Sequence, residues 1–375
     1  MTDATKLQAT RKQLGYSAAE TITLLSSRAK KHGIPIMSAT SLKTKLSRWE
    51  NGHEGVGLPE YRRLFREIYG RTNPELGFPP EHVDAEAEEL RARLATARTI
   101  DAPTVAVFRS QVAHARRVDR QFGGLTQLDQ LRHHINQVSE LLAYTIGGAH
   151  RAALAAVLCE ASTLAGWQSL DRNAHTQAWN HYERAKQAAR ESGSTALLAH
   201  ATAEQAFVLI DIGETAIAAE HTAHARTLGD RGSADLLRAW LAAAHGETLA
   251  HAGAADQARL AFDDADQQLP TNPVDPDLPF VFLGDGHLRR WRGNALAHIG
   301  DPEAIDHLEH ALDRLPAEFI RARASLLVDL SYAHAATGDR EATQTYARDA
   351  RRLAAQIKSD RHLRRLSKLV LPGAA

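Results

Sequence analysis

The sequence predicts an all-α protein of more than one domain, and three observations lead there. Apolar residues recur at three- and four-residue spacing in segment after segment. A residue suited to left-handed backbone (Asn173, Gly213, Gly253, Gly300, Gly338) returns at intervals of 40, 40, 47 and 38 residues, with small and bulky residues at matching offsets. Charge is also segregated, because residues 1–82 carry 13 Lys+Arg against 8 Asp+Glu while the rest carries 32 against 37. A net charge of zero therefore hides a basic N-terminal part and an acidic remainder. With 375 residues the chain exceeds one ordinary core. The expected division is a small helical domain at 1–82, a helical connector at 83–150 and a repeat domain at 151–375.

The first helix is expected from Lys6 to Gly15, with Leu7 and Leu14 inward and Arg11 and Lys12 outward. Ser17 can cap a second, whose Ile22, Leu24, Leu25 and Ala29 share a face and whose end carries Arg28, Lys30 and Lys31. A third helix begins near Thr40 or Ser41, either of which can cap it, and stops at Gly52. In it Leu42, Leu46 and Trp49 fall on one side, leaving Lys43, Thr44, Ser47 and Arg48 on the other. An apolar back with a short, basic, hydroxyl-bearing front suits the major groove of DNA. Pro59 opens a fourth helix, with Tyr61, Leu64, Phe65, Ile68 and Tyr69 facing the core and Arg62, Arg63 and Arg66 opposite, free for phosphate or for water. Arg71–Leu76 forms a further cap and turn, and Phe78-Pro79-Pro80 with the acidic run from Asp84 closes the domain.

Leu46-Ser47-Arg48-Trp49-Glu50-Asn51-Gly52 resembles the end of the recognition helix in the XRE-type, or repressor/Cro-like, helix-turn-helix family. The resemblance spans roughly the first 80 residues and implies a double-stranded DNA operator as partner. It also implies a DNA-binding surface of Ser41, Lys43, Thr44, Lys45, Ser47 and Arg48, joined by Arg62 and Arg63. Regulators of this kind pair across inverted half-sites, which implies a homodimer. The chain departs from the family in the nine residues between Lys31 and Ser41, far longer than the usual turn of the motif.

In the connector, helical spacing joins Leu90 and Leu94, then Val105, Phe108 and Val112, then Leu128, Leu131, Ile135, Val138, Leu141 and Leu142, with breaks at Pro103 and Gly123-Gly124. Beyond it, seven residues before each turn residue stand Gly166, Ala206, Gly246, Gly293 and Ser331, all small. Four or five residues after it come Ala178, Ala218, Ala258, Ala304 and Ala342, and four further on Tyr182, Thr222, Phe262, Leu308 and Tyr346. This pattern resembles the tetratricopeptide repeat, with longer periods than the usual one, and implies a right-handed superhelix of helix hairpins. In such superhelices the residues six, ten and thirteen before the turn line the concave side. That spacing selects His287, Arg290 and Asn294 in the fourth hairpin, with Phe207, Trp240, Glu247 and Tyr332 at equivalent places. Aromatic groups beside a guanidinium and an amide suit an extended peptide. Pro270 to Pro279 holds four prolines and interrupts the repeat as a lid or a spacer.

Enzymatic chemistry finds no support: there is no phosphate loop, no His-Glu-x-x-His, no Gly-x-Ser-x-Gly and no paired cysteine. Gly284-Asp285-Gly286-His287 is the nearest loop motif. The single cysteine, Cys159, lies in an apolar helical run and reads as a core residue of a protein from a reducing compartment. His133-His134, His221/His224 and His307/His310 lack further ligands at metal spacing, so no catalytic, metal or cofactor residues are expected. No leader-like or membrane-length apolar run is present, so a cytoplasmic location is expected. The expected function is a transcriptional regulator whose repeat domain senses a peptide or protein partner. Its rival is an interaction scaffold whose N-terminal domain does not bind DNA.

Overall fold

The computed structural model describes residues 4–79, 85–123, 128–230, 232–284, 286–316 and 319–373, and these form eighteen helices and no strand. They fall into two compact units, Met1–Leu90 and Arg91–Ala375. The boundary expected at 82/83 and residues Pro80, Asp84, Gly124 and Asp285 lie outside the described residues. No described helix is long and apolar enough to cross a membrane.

The first unit holds α1 (Lys6–Gln13), α2 (Ala18–His32), α3 (Ala39–Glu50) and α4 (Pro59–Tyr69). Ser17 caps α2 as expected, and Glu20 completes a reciprocal capping box with it. The cap of α3 is Ser38 rather than Thr40 or Ser41, since its side chain accepts the amide of Ser41 at 3.3 Å. The long connection before it is packed: Gly33 turns left-handed after α2, Ile34, Ile36 and Met37 lean on the core, and the Met37 amide donates to the Tyr61 hydroxyl at 2.9 Å. Beneath α3 the Trp49 ring lies 5.3 Å from Tyr61 and 6.0 Å from Phe65. Two first-helix expectations are corrected. Leu14 is 38% exposed, because α1 ends at Gln13 and does not carry that residue round to the core. Arg11, expected outward, donates to both oxygens of Glu50 at 2.6 and 2.8 Å and pins α1 to α3.

In the second unit, α5 (Ala85–Arg98) begins before the division; α6 (Ala102–Phe122) and α7 (Leu128–Tyr144) follow, and both pack on α8 (Gly148–Asp171). The stretch read as a connector therefore contributes to the repeat unit's own core, where Val105, Phe108, Val112, Leu131, Ile135 and Val138 meet Leu154 and Val157. Its apolar faces are too wide to leave in water. Five antiparallel hairpins form the array: α8 with α9 (His175–Ser192), α10 (Thr195–Ile212) with α11 (Thr215–Gly229), and α12 (Asp235–His251) with α13 (Ala255–Gln268). The remaining two are α14 (His287–His298) with α15 (Glu303–Arg314), and α16 (Ile320–Ala336) with α17 (Arg340–Gln356), after which comes α18 (Asp360–Ser367). Each of the five predicted turn residues has positive φ, from 55° at Asn173 to 91° at Gly213.

The small-residue positions have a direct cause. A methyl group on Gly166 would sit 2.8 Å from the Tyr182 ring, and one on Gly246 would sit 2.7 Å from Phe262, so only hydrogen lets the paired helices close. In the last hairpin the register moves by one. Thr343 and Ala347 are buried there in place of Ala342 and Tyr346, which are half-buried.

The array also bends back on itself. Arg321 of α16 donates to Asp119 of α6 at 2.6 Å and to Asp171 of α8 at 2.7 Å, and Ser359, the cap of α18, donates to Asp171 at 2.6 Å. Arg361 of α18 grips Asp211 of α10 through two bonds of 2.7 and 2.8 Å. The first helices of all five hairpins, with α6 and α18, consequently surround one space.

Candidate ligand cavity and candidate nucleic-acid face

That space is a cavity of about 700 Å³, in the range of small-ligand and peptide sites. All seven repeat-domain residues selected from the sequence line it: Phe207, Trp240 and Glu247, then His287, Arg290 and Asn294, then Tyr332. They come from α10, α12, α14 and α16, the first helices of their hairpins. The aromatic residues form a continuous strip: Trp167 is 6.4 Å from Phe207, Phe207 is 6.4 Å from Trp291, and Trp291 is 5.5 Å from Trp240.

Two kinds of charged group face the cavity. One kind is already satisfied: Arg321 between Asp119 and Asp171, Arg361 on Asp211, and Arg365 on Asp329 at 2.7 Å. These pairs build the wall. The other kind is not matched within the protein. Arg290 has a buried Nε without a partner, and burial lowers its pKa despite Asp329 and Glu247 nearby. The Asn294 carbonyl oxygen is likewise buried and unpartnered. Glu247 has no hydrogen bond or ion pair among the described residues, and burial pushes its carboxyl up to about 7 against the pull of Arg361 and Arg290. Glu204 receives one long bond, 3.3 Å from the Tyr182 hydroxyl, and burial also raises it to about 7. His200 lies under Trp240 with ring centres 4.6 Å apart and its Nε2 3.8 Å from a Glu204 oxygen, and burial lowers its pKa to about 3, which disfavours the charged form that would pair with Glu204.

Several wall residues escaped the sequence reading. Trp167, Thr163 and His200 follow from the same six, ten and thirteen spacing applied to Asn173 and Gly213, so their signal was present. Phe280 and Phe282 had no repeat offset to mark them. They come from the end of the proline-rich excursion, which turns inward: Phe280 packs on His200 with centres 4.8 Å apart, and Phe282 meets His287 edge-on at 4.6 Å. Arg120 stands 4.8 Å over the Phe282 ring. The excursion therefore supplies part of the wall. Cys159 is buried, and desolvation pushes its thiol up to about 12, which suits a packing residue. No cluster of three His, Cys, Asp or Glu suited to a metal occurs among the described residues.

On the first unit, Ser41, Lys43, Thr44, Ser47 and Arg48 are exposed along α3, and Lys45 is half-exposed. Lys43 has no ion pair among the described residues. Glu54 in the following loop holds Lys45 at 2.7 Å and stands 3.5 Å from Arg48. Ser47 accepts a 3.3 Å bond from the Asn51 amide, and Ser41 shares a 3.1 Å bond with Ser38. Arg62, one of the arginines selected for the DNA surface, is bound by its own chain: Nε donates to the Val56 carbonyl at 2.6 Å and Nη2 to Gly57 at 3.0 Å, fixing the loop before α4. Arg63 pairs with Glu67 one turn on, at 3.1 Å.

No family model matches the chain, and no curated protein matches it. Among solved structures it is similar to a Rap protein complexed with competence and sporulation factor, at 12% identity and a TM-score of 0.45, over 91% of this chain and 96% of that one. No residue role is transferred from so remote a likeness.

Proposed function

We propose that this chain is a DNA-binding transcriptional regulator whose repeat unit takes an extended peptide, free or as a segment of a protein partner. The observation that carries the reading is the convergence of aromatic faces with the unpartnered Arg290 Nε, the unpartnered Asn294 carbonyl oxygen and the Glu247 carboxyl in one cavity of about 700 Å³. Such a surface complements a peptide, in which apolar side chains alternate with backbone donors and acceptors. Arg290 suits a carboxylate through two parallel bonds, and Asn294 suits a backbone amide. Titrating cell-derived peptides against the wild type and an Arg290→Ala, Asn294→Ala double variant tests this half. Equal affinity of the two proteins for every peptide bound by the repeat unit removes the groove from the function.

The DNA half is supported by a helix whose apolar back is buried and whose Lys43, Thr44, Ser47 and Arg48 stand exposed on a basic domain. In this reading Lys43, Thr44 and Ser47 face bases and Arg48 reaches a phosphate; Arg62, spent on its own loop, has a positioning role. The operator is an inverted repeat bound by a homodimer. Recovering bound genomic fragments and footprinting them is the experiment. Thr44→Ala should change which bases matter by roughly 1–3 kcal/mol, and Arg48→Ala should flatten the salt dependence by about one ion. A footprint indifferent to both removes α3 from the groove.

The engagement of Lys45 and Arg48 by Glu54 favours a second reading, an interaction scaffold whose first unit does not touch DNA. Retention on DNA that weakens steeply with salt separates the two. A scaffold shows none.

A further inference from the structure

We propose that Glu204 and Glu247 form a cation-recognising subsite of the cavity, taking a primary ammonium or a guanidinium group of the ligand: a lysine or arginine side chain, or a free N-terminus. This rests on the reading of the cavity as a peptide site.

Among the acids that face the cavity, Asp119, Asp211 and Asp329 each accept from a guanidinium at 2.6–2.8 Å. Glu204 and Glu247 do not. Arg290 and Arg361 are near enough to Glu247 to pull on it, yet neither is paired with it among the described residues. Arg116, which faces Glu204 from α6, is instead committed to Glu160 at 2.9 Å. The two glutamates feel each other across the gap between α10 and α12; the His200 Nε2 stands 3.8 Å from a Glu204 oxygen, in a ring whose pKa burial lowers, and no lysine or arginine pairs with either glutamate among the described residues. Leaving two carboxylates in a low-dielectric space without a counter-charge is costly unless something else supplies one.

The surroundings fit a cation as well. Phe207 lies one turn from Glu204 on α10, and Trp240 lies two turns from Glu247 on the same face of α12. Aromatic faces beside carboxylates attract an ammonium or guanidinium through the ring quadrupole, and the alkyl stem of lysine or arginine lies along the rings. A bound cation would also bring the two carboxyls back to their ionised form, so its binding strengthens as pH rises through 7, whereas an anionic group would bind with the opposite dependence.

The test uses the full chain with two sets of probes. Hexapeptide mixtures carry lysine, norleucine or glutamate at one defined position. Butylammonium and butyrate serve as the smallest versions of the two charges, read by fluorescence of Trp167, Trp240 and Trp291. Lysine mixtures should bind at least tenfold tighter than norleucine mixtures, and butylammonium should perturb the fluorescence where butyrate does not. In Glu204→Gln and Glu247→Gln the preference for lysine over norleucine mixtures should fall to less than threefold. Those variants keep the side-chain shape and should melt no lower than the wild type. Equal binding of lysine and norleucine mixtures, or a glutamate preference, overturns the subsite while leaving the peptide site standing. Binding of butylammonium with no response to any hexapeptide keeps the subsite and overturns the peptide reading. Silence toward all probes overturns both.

Discussion

α3 and α12 have opposite relations to their surroundings. α3 buries 4 of its 12 residues and shows the rest to solvent, whereas α12 buries 12 of its 17 and turns Glu247 and His251 into an interior space. The first unit presents chemistry outward on a helix with an apolar back, and the second assembles chemistry inward from helices buried nearly all round. An outward face can be read from one helix. An inward one depends on what lies across it, and in the second unit that includes residues 150 to 202 positions away.

The largest test of this contrast removes the keystone of the inward network. Arg321→Ala leaves Asp119 and Asp171 buried without their cation, at a cost of about 3–5 kcal/mol. Hydrogen exchange read by mass spectrometry should show weakened protection throughout 91–375 and none lost in 4–79. Equal loss in both regions would break the comparison.

Acid should separate the units next. Burial lowers the pKa of His181, His221 and His245 to about 4, of His200 and His362 to about 3, and of His251 and His287 as well. A depressed histidine stabilises the fold above its unfolded pKa, and that contribution is lost as pH falls below about 6.5. Glu204 and Glu247, raised to about 7, act oppositely: their contribution is full below about 4.5 and lost as pH rises through 7. Seven histidines outweigh two carboxyls, so the repeat unit should lose stability between pH 7 and 5. The first unit has no buried histidine among its described residues and should hold. Thermal melts followed by region-resolved exchange at the two pH values check this.

Much of the architecture behind these expectations was legible. The left-handed turns at Asn173, Gly213, Gly253, Gly300 and Gly338 and the pairing of Gly166 with Tyr182 follow from sterics local to one hairpin, which a repeated sequence states five times. The positions that line the cavity came from the resemblance to the tetratricopeptide repeat rather than from such sterics. What escaped was non-periodic or long-range: the Arg11–Glu50 pair, the inward turn of Phe280 and Phe282, and the closure by Arg321 and Arg361. A charged residue on a helix looks solvated until the partner across the fold is known. Helix ends misled by small amounts, as with Ser38 in place of Thr40 and Thr343 in place of Ala342, because adjacent hydroxyl or small residues are nearly equivalent candidates.

Gly246→Ala sharpens the comparison at a smaller scale. Its methyl would press on Phe262 and should cost roughly 1–3 kcal/mol, felt in the repeat unit alone. The smallest effect belongs to the first unit. Ser38→Ala removes the α3 cap and should cost about 1 kcal/mol, seen as faster exchange in the first turn of that helix with no change beyond residue 91.

Stacked-hairpin arrays ordinarily fold as a line, each repeat depending only on its neighbours, so that one end can form before the other exists. The bonds from Arg321 to Asp119, spanning 202 residues, and from Ser359 to Asp171, spanning 188, give this array a different order of events. The seam cannot close until α18 has been made, and loop closure over that distance carries its entropy cost late. Until then the emerging chain holds an unfilled acidic edge at Asp119 and Asp171. A stop codon before α16 would thus strip stability from helices laid down some two hundred residues earlier.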